Sequence, residues 1–153
     1  MKTLILYATK HGATADIAGR IALEFDGAAL HNLKQGPAPS LADFARVIIG
    51  SSIYAGSIRK EAKEYAAKNA AELAKKELGI FLSCFAENDE NFTKNFPAEL
   101  LAAAKAKASV GGAFDPSKAK GIEHFIVKIV MKEKGHINQV QDEKITQFIK
   151  AME

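Results

Sequence analysis

The sequence predicts an α/β protein, a three-layer sandwich built on a five-stranded parallel sheet in the order 2-1-3-4-5. Two observations lead there. Strand and helix patterns alternate from Thr3 to Met152, which calls for parallel strands joined by crossover helices on both faces. The run Val47-Ile48-Ile49 is continuously apolar, as expected of a central strand covered on both sides. Five strands fit this order better than the six-stranded doubly wound arrangement.

The elements follow in turn. Thr3–Tyr7 reads as the first strand. Thr14–Phe25 reads as the first helix, because Ile17, Ile21 and Phe25 recur every four residues with Ala18 and Ala22 beside them. Ala28–Asn32 is a short second strand, and Gly36-Pro37-Ala38-Pro39-Ser40 breaks the chain before a brief helical turn near Leu41–Phe44. Arg46–Gly50 is the third strand. A helix capped by Ser57 is expected to run to about Lys75, with Ile58, Ala62, Tyr65 and Leu73 on one stripe and charges opposite. Glu77–Ser83 is the fourth strand, about Phe96 to Lys105 a helix, Ala108–Phe114 the fifth strand and Asp142–Met152 the last helix.

Composition bounds the function. A chain of 153 residues with 48% hydrophobic residues is expected to form one domain, 1–153, with room for a full core. No apolar run is long enough for a bilayer, and Met1-Lys2-Thr3 leads into a strand rather than a signal peptide. The lone Cys84 excludes an internal disulfide, fits a reducing cytoplasm and reads as a half-buried strand-end thiol with no electropositive neighbour to activate it. A net charge of +3 permits an acidic partner or surface without demanding one, and nucleic acid is not among the expected partners.

In this topology the ligand crevice lies at the C-terminal ends of the strands, where the order reverses between the first and third. The loop there reads Thr9-Lys10-His11-Gly12-Ala13-Thr14, suited to a phosphate. Hydroxyls of Thr9 and Thr14 can donate to its oxygens, Gly12 lets the backbone approach, and the helix start supplies unpaired N–H groups. The alternative is a plain strand-to-helix turn using Gly and Thr for geometry alone. After the third strand, Ser51-Ser52-Ile53-Tyr54-Ala55-Gly56 could wrap a planar ring or form an ordinary loop. Ser83-Cys84-Phe85-Ala86-Glu87 would form the third wall.

Other chemistries fare worse. A phosphoacceptor site needs an aspartate ending the third strand, where Gly50-Ser51-Ser52 stands instead. The near nucleophile elbow Gly50-Ser51-Ser52-Ile53-Tyr54 has Tyr54 in place of the final glycine. Neither a nucleoside-triphosphate loop nor a dinucleotide fingerprint is present. His11, His31, His124 and His136 lack metal-ligand spacing, so no metal is expected, and only His11 falls in the crevice. No catalytic residue can be assigned.

The motif Thr9-x-x-Gly12-x-Thr14 is similar to the flavodoxin signature that grips the phosphate of flavin mononucleotide (FMN). With Met1–Leu6, Gly50–Ile53 after Val47-Ile48-Ile49, and Phe125-Ile126-Val127-Lys128-Ile129-Val130-Met131-Lys132, the chain resembles the menaquinone-dependent protoporphyrinogen oxidase branch of the flavodoxin superfamily. The resemblance implies a flavodoxin-like FMN-binding oxidoreductase. Thr9 to Thr14 would hold the phosphate, Ser51 to Gly56 would flank the isoalloxazine with Tyr54 or Ile53 against a ring face, and Ser83 to Glu87 would close the far side. Gly56 would make rotation of a peptide beside the flavin N5 easy. A quinone or protein redox partner is implied, and the amphipathic Ile122–Lys134 stretch, with Lys128, Lys132 and Lys134 at its edge, suits an anionic membrane surface or simple packing on the sheet. The chain departs from acidic electron carriers in having no Trp and a positive charge. It departs from the oxidase branch at Asp115–His124, which carries lysines and no aromatic. Both an oxidoreductase acting on a small molecule and an electron carrier between proteins follow from these features.

Overall fold

The computed structural model describes residues 1–9, 12–84, 88–111 and 137–153, with backbone only for 137–141. Five parallel strands, β1 (Thr3–Ala8), β2 (Ala29–Asn32), β3 (Arg46–Tyr54), β5 (Glu77–Ser83) and β6 (Ala106–Ser109), lie in the order β2-β1-β3-β5-β6. A two-residue strand, β4 (Ser57–Ile58), pairs antiparallel with the end of β3. The five parallel strands thus have the order that the sequence predicts.

Strand alternation sorts the core into two layers. Leu4, Leu6 and Ala8 of β1, Val47 and Ile49 of β3, and Leu78, Ile80 and Leu82 of β5 face one side. There they meet α2 (Lys60–Lys68), α3 (Ala70–Leu73) and α5 (Ala98–Ala103) through Ala62, Ala66, Leu73 and Leu100. Ile5, Ile48 and Phe81 face the other side, under Ile17 and Ile21 of α1 (Ala13–Ala22) and Ile145, Phe148 and Met152 of α6 (Ile137–Met152). Phe81 stands edge-on to Phe148, with ring centroids 6.0 Å apart. Two glycines make this layer fit. A Cβ on Gly50 would come within 2.0 Å of the Phe81 ring, and one on Gly79 within 2.6 Å of Met152 Sδ.

Several boundaries differ from the sequence reading. β3 continues to Tyr54 because Ile53 packs on the core and Ile58 pairs opposite it, so the helix starts at Lys60 and not at Ser57. The Ser57–Lys75 helix breaks at Asn69, which leaves helical geometry at φ −108° and ψ 16° and caps the Tyr65 carbonyl with both its N–H and its Nδ2, each at 3.0 Å. α4 (Glu90–Thr93) is an additional short helix. α5 waits until Ala98, because Pro97 pushes the residue before it out of helical geometry. β6 is drawn forward to Ala106 by pairing with Gly79, whereas its low apolar density suggests a later start. Of the Ala108–Phe114 strand only Ala108 and Ser109 are strand; Gly112 to Phe114 lie outside the described residues, as does the Ile122–Lys134 stretch. The last helix begins at Ile137, before Asp142.

Candidate functional site

Register sets the site. Ala8 pairs with Ser51, Ser51 with Leu82 and Leu82 with Ser109, so β1, β3, β5 and β6 end in one row. The loops that follow β1, β3 and β5 therefore leave the sheet side by side at its C-terminal edge, beside the switch point between β1 and β3.

After β1, Gly12 takes φ 90° at the N-cap of α1, a left-handed turn that glycine adopts without steric penalty. No side chain caps the helix. Thr9 Oγ1 accepts from the Gly12 N–H at 3.0 Å, which leaves the hydroxyl hydrogen of Thr9 able to donate elsewhere. Thr14 is fully buried in the first turn of α1, and its Oγ1 has no hydrogen-bond partner among the described residues. A buried hydroxyl left unsatisfied costs stability, so this one invites an acceptor from outside the chain. Gly12, Ala13 and Thr14 thus present an uncapped helix start and an orphan donor, and the residues fit a phosphate. Lys10 and His11 lie outside the described residues.

After β3 the chain makes a two-residue hairpin. Tyr54 pairs with Ser57, and Ala55 and Gly56 sit between them at φ 52° and φ 81°. Positive φ at both central positions is the type I′ signature, whose twist matches that of the strands. Ile53 is turned toward the core, whereas Tyr54 is 51% exposed on the opposite face. Of the two ring-side candidates, Tyr54 is the exposed one. Ser51 is fully buried, and its hydroxyl is used internally: Oγ donates to the Ser52 carbonyl at 2.9 Å and accepts from the Arg59 N–H at 2.9 Å. That pair of bonds ties the end of β3 to the start of α2. Ser52 Oγ is buried without a partner among the described residues, on the sheet face that α1 covers.

After β5, Ser83 Oγ donates to the Gly111 carbonyl at 3.2 Å, closing the β5 end onto the end of β6. Cys84 is partly buried, and its Sγ accepts from Asn91 Nδ2 at 3.9 Å. Phe85, Ala86 and Glu87 lie outside the described residues.

Sequence reasoning missed Asn95. Its amide, 4% exposed, reaches from the turn after α4 into the hairpin. Nδ2 donates to the Gly56 carbonyl at 3.0 Å and to the Asn91 carbonyl at 2.8 Å, while Oδ1 accepts from the Ile58 N–H at 3.2 Å. Nothing in local periodicity signals a contact across so many residues. It also corrects the expectation of easy peptide rotation at Gly56, since the Gly56 carbonyl is held and Ala55, a non-glycine at positive φ, opposes the alternative turn. Among the described residues no group of three or more His, Cys, Asp or Glu is placed to hold a metal, and no helix is long and apolar enough to cross a membrane.

Comparison with known proteins agrees with this geometry. The family model of the flavodoxin domain matches residues 4–140. The chain is similar to protoporphyrinogen IX dehydrogenase [quinone] of Escherichia coli K12, at 27% identity over 150 residues, covering 88% of this chain and 81% of that relative. Among solved structures it resembles oxidised flavodoxin 2 from Bacillus cereus, with a TM-score of 0.66, 21% identity, and 99% and 97% of the two chains covered. It also resembles a flavoprotein in complex with FMN from Lactobacillus acidophilus NCFM, with a TM-score of 0.58, 16% identity, and 71% and 92% covered. With the family model spanning most of its length, the chain belongs to the flavodoxin-domain family.

Proposed function

We propose that the chain is an FMN-binding oxidoreductase. The observation that carries this is Thr14: a fully buried hydroxyl without a partner among the described residues, in the first turn of an uncapped helix and beside a left-handed glycine. Thr9, Lys10, His11, Gly12, Ala13 and Thr14 would hold the phosphate. Ser52 to Gly56 would flank the ring with Tyr54 against it, Ser51 would brace them from behind, and Ser83 to Glu87 would close the far side. Bound there, FMN would supply hydrogen or electron transfer, and the protein would bind, orient and tune it.

The substrate reading follows from the resemblance and from the named Escherichia coli relative: hydrogen or electrons taken from protoporphyrinogen or a similar reduced compound and passed to a quinone. The alternative is a carrier that exchanges electrons between proteins. The net charge of +3 favours the first, as does the Phe125–Lys132 block; the Asp115–His124 stretch, with lysines and no aromatic, favours the second. A cytoplasmic protein meeting the inner face of the membrane through Ile122–Lys134 would reach a lipid-borne quinone, and lysines near anionic lipid would strengthen that contact.

The test is direct. Purified protein should be yellow or take up FMN in a 1:1 ratio, roughly the outcome expected for one phosphate loop. It should then oxidise protoporphyrinogen with a quinone acceptor. Loss of FMN selectivity over riboflavin overturns the cofactor reading. FMN binding without oxidase turnover moves the carrier ahead.

A further inference from the structure

We propose that Asn95 is a positioning residue for the ring side of the site, holding the Tyr54–Ser57 turn in one conformation against the loop that follows β5. The inference rests on the FMN reading above and adds a residue outside the three strand-end loops.

The argument starts from the amide. Asn95 is almost wholly buried, and its three polar positions are satisfied by main chain alone: the Gly56 and Asn91 carbonyls and the Ile58 N–H. Two carbonyls must face the NH2 group and one N–H must face the oxygen, so the chemistry of the partners fixes the amide's orientation. Gly56 and Ile58 belong to the hairpin, whereas Asn91 also contacts Cys84 through its own Nδ2 at 3.9 Å. One side chain and its neighbour one helical turn back therefore join the loop after β3 to the loop after β5, two of the three walls of the crevice.

The bonds are placed where they restrict motion. Gripping the Gly56 carbonyl opposes rotation of the Gly56–Ser57 peptide. The Ala55–Gly56 peptide is opposed from the other side, because rotating it would move Ala55 toward backbone angles open essentially to glycine. A glycine-containing turn that would otherwise be adaptable is thereby locked at both ends. A surface that must meet a planar ring without reorganising benefits from such locking.

The experiment uses the full chain with FMN and riboflavin, as wild type, Asn95→Ala, Asn95→Asp and the core control Leu100→Ala. The readouts are amide exchange at Ile58 in flavin-free protein, the flavin dissociation constants and the two one-electron reduction potentials. Asn95→Ala should accelerate Ile58 exchange and weaken both flavins about tenfold, the scale of one buried hydrogen bond left unmade. It should also move the gap between the two potentials. Asn95→Asp should act more strongly, because its carboxylate would face two carbonyl oxygens. Leu100→Ala should lower the melting temperature and leave the potentials in place. Faster Ile58 exchange in Asn95→Ala with wild-type flavin affinity and potentials overturns the positioning role while leaving the FMN reading intact. A wild type that binds no FMN overturns both. If neither Asn95 variant folds, the wild-type Asn95 side-chain amide protons decide: protection before and after FMN addition supports the lock, and free exchange in the complex overturns it.

Discussion

Thr14→Val separates a phosphate donor from a structural threonine, because the two roles predict opposite signs. The substitution keeps the branched shape and deletes one polar atom. In the flavin-free chain that atom is buried without a partner among the described residues, so its removal relieves a penalty. Leaving a buried hydroxyl unpaired costs about 1–3 kcal/mol, and the variant recovers part of it. Each kcal/mol corresponds to a rise of roughly 2–4 °C in melting temperature for a chain of this size. With FMN the sign reverses, since the phosphate oxygen loses the donor that Thr14 supplies. The same 1–3 kcal/mol then appears as a dissociation constant roughly 5- to 150-fold weaker. Riboflavin has no phosphate and should bind wild type and variant alike. Differential scanning calorimetry of flavin-free protein and titration with both flavins provide the measurements. A variant less stable than wild type, or one that loses FMN and riboflavin affinity equally, would refute the assignment of Thr14 as a phosphate donor.

Other positions give independent tests. Gly50→Ala should destabilise the fold by about 1–3 kcal/mol or more in urea denaturation, because its Cβ would overlap the Phe81 ring, and Phe81→Leu in the same chain should recover part of that loss. Ala55→Asn should stabilise the hairpin by up to about 1 kcal/mol in the same assay, since asparagine tolerates the left-handed φ of 52° better than alanine. Burial, with Glu72 nearby, pushes the Tyr65 phenol up to about 12 from its ordinary 10.0. The unfolded chain then releases this proton first as pH rises, so stability present below pH 10.0 should decline toward pH 12, and Tyr65→Phe should flatten that part of the profile.

Where local rules and tertiary demands agreed, the sequence was readable. The apolar runs within Thr3–Ala8 and Glu77–Ser83, and the four-residue repeat of α1, are local signals that packing only reinforced. The strand-to-helix turn of the proposed phosphate loop was readable for the same reason, since strand, glycine and helix start follow one another along the chain. The hairpin was not. Ser57 resembles a helix cap, yet Ile58 pairs with Ile53 across the Ala55–Gly56 turn, and that pairing competes successfully with capping. Ser51 shows the same limit: the sequence places it in a loop that could wrap a planar ring, and only the fold reveals the Arg59 N–H that engages its hydroxyl. Asn95 was invisible because its partners, Gly56 and Ile58, lie 39 and 37 positions away.

The two ends of the candidate site are built on different principles, and this divides the labour between them. At the phosphate end the chain leaves hydrogen-bonding capacity open: an uncapped α1, a Thr9 hydroxyl with its proton free to donate, and the orphan Thr14. At the ring end it closes most of that capacity, the Ser52 hydroxyl excepted: Ser51, Ser83 and Asn95 all direct their polar atoms into the protein. Open donors supply affinity to whatever completes them, whereas satisfied networks supply rigidity. The phosphate-dependent share of the affinity should therefore reside in Thr9 and Thr14, and flavin redox properties in the fixed geometry around Tyr54. Changing Thr14 should alter how tightly FMN is held and leave its potentials in place, while Asn95→Ala should move the potentials. A Thr14 variant that, once saturated with FMN, shifts the potentials as far as Asn95→Ala does would show that the two ends are coupled and would remove this division.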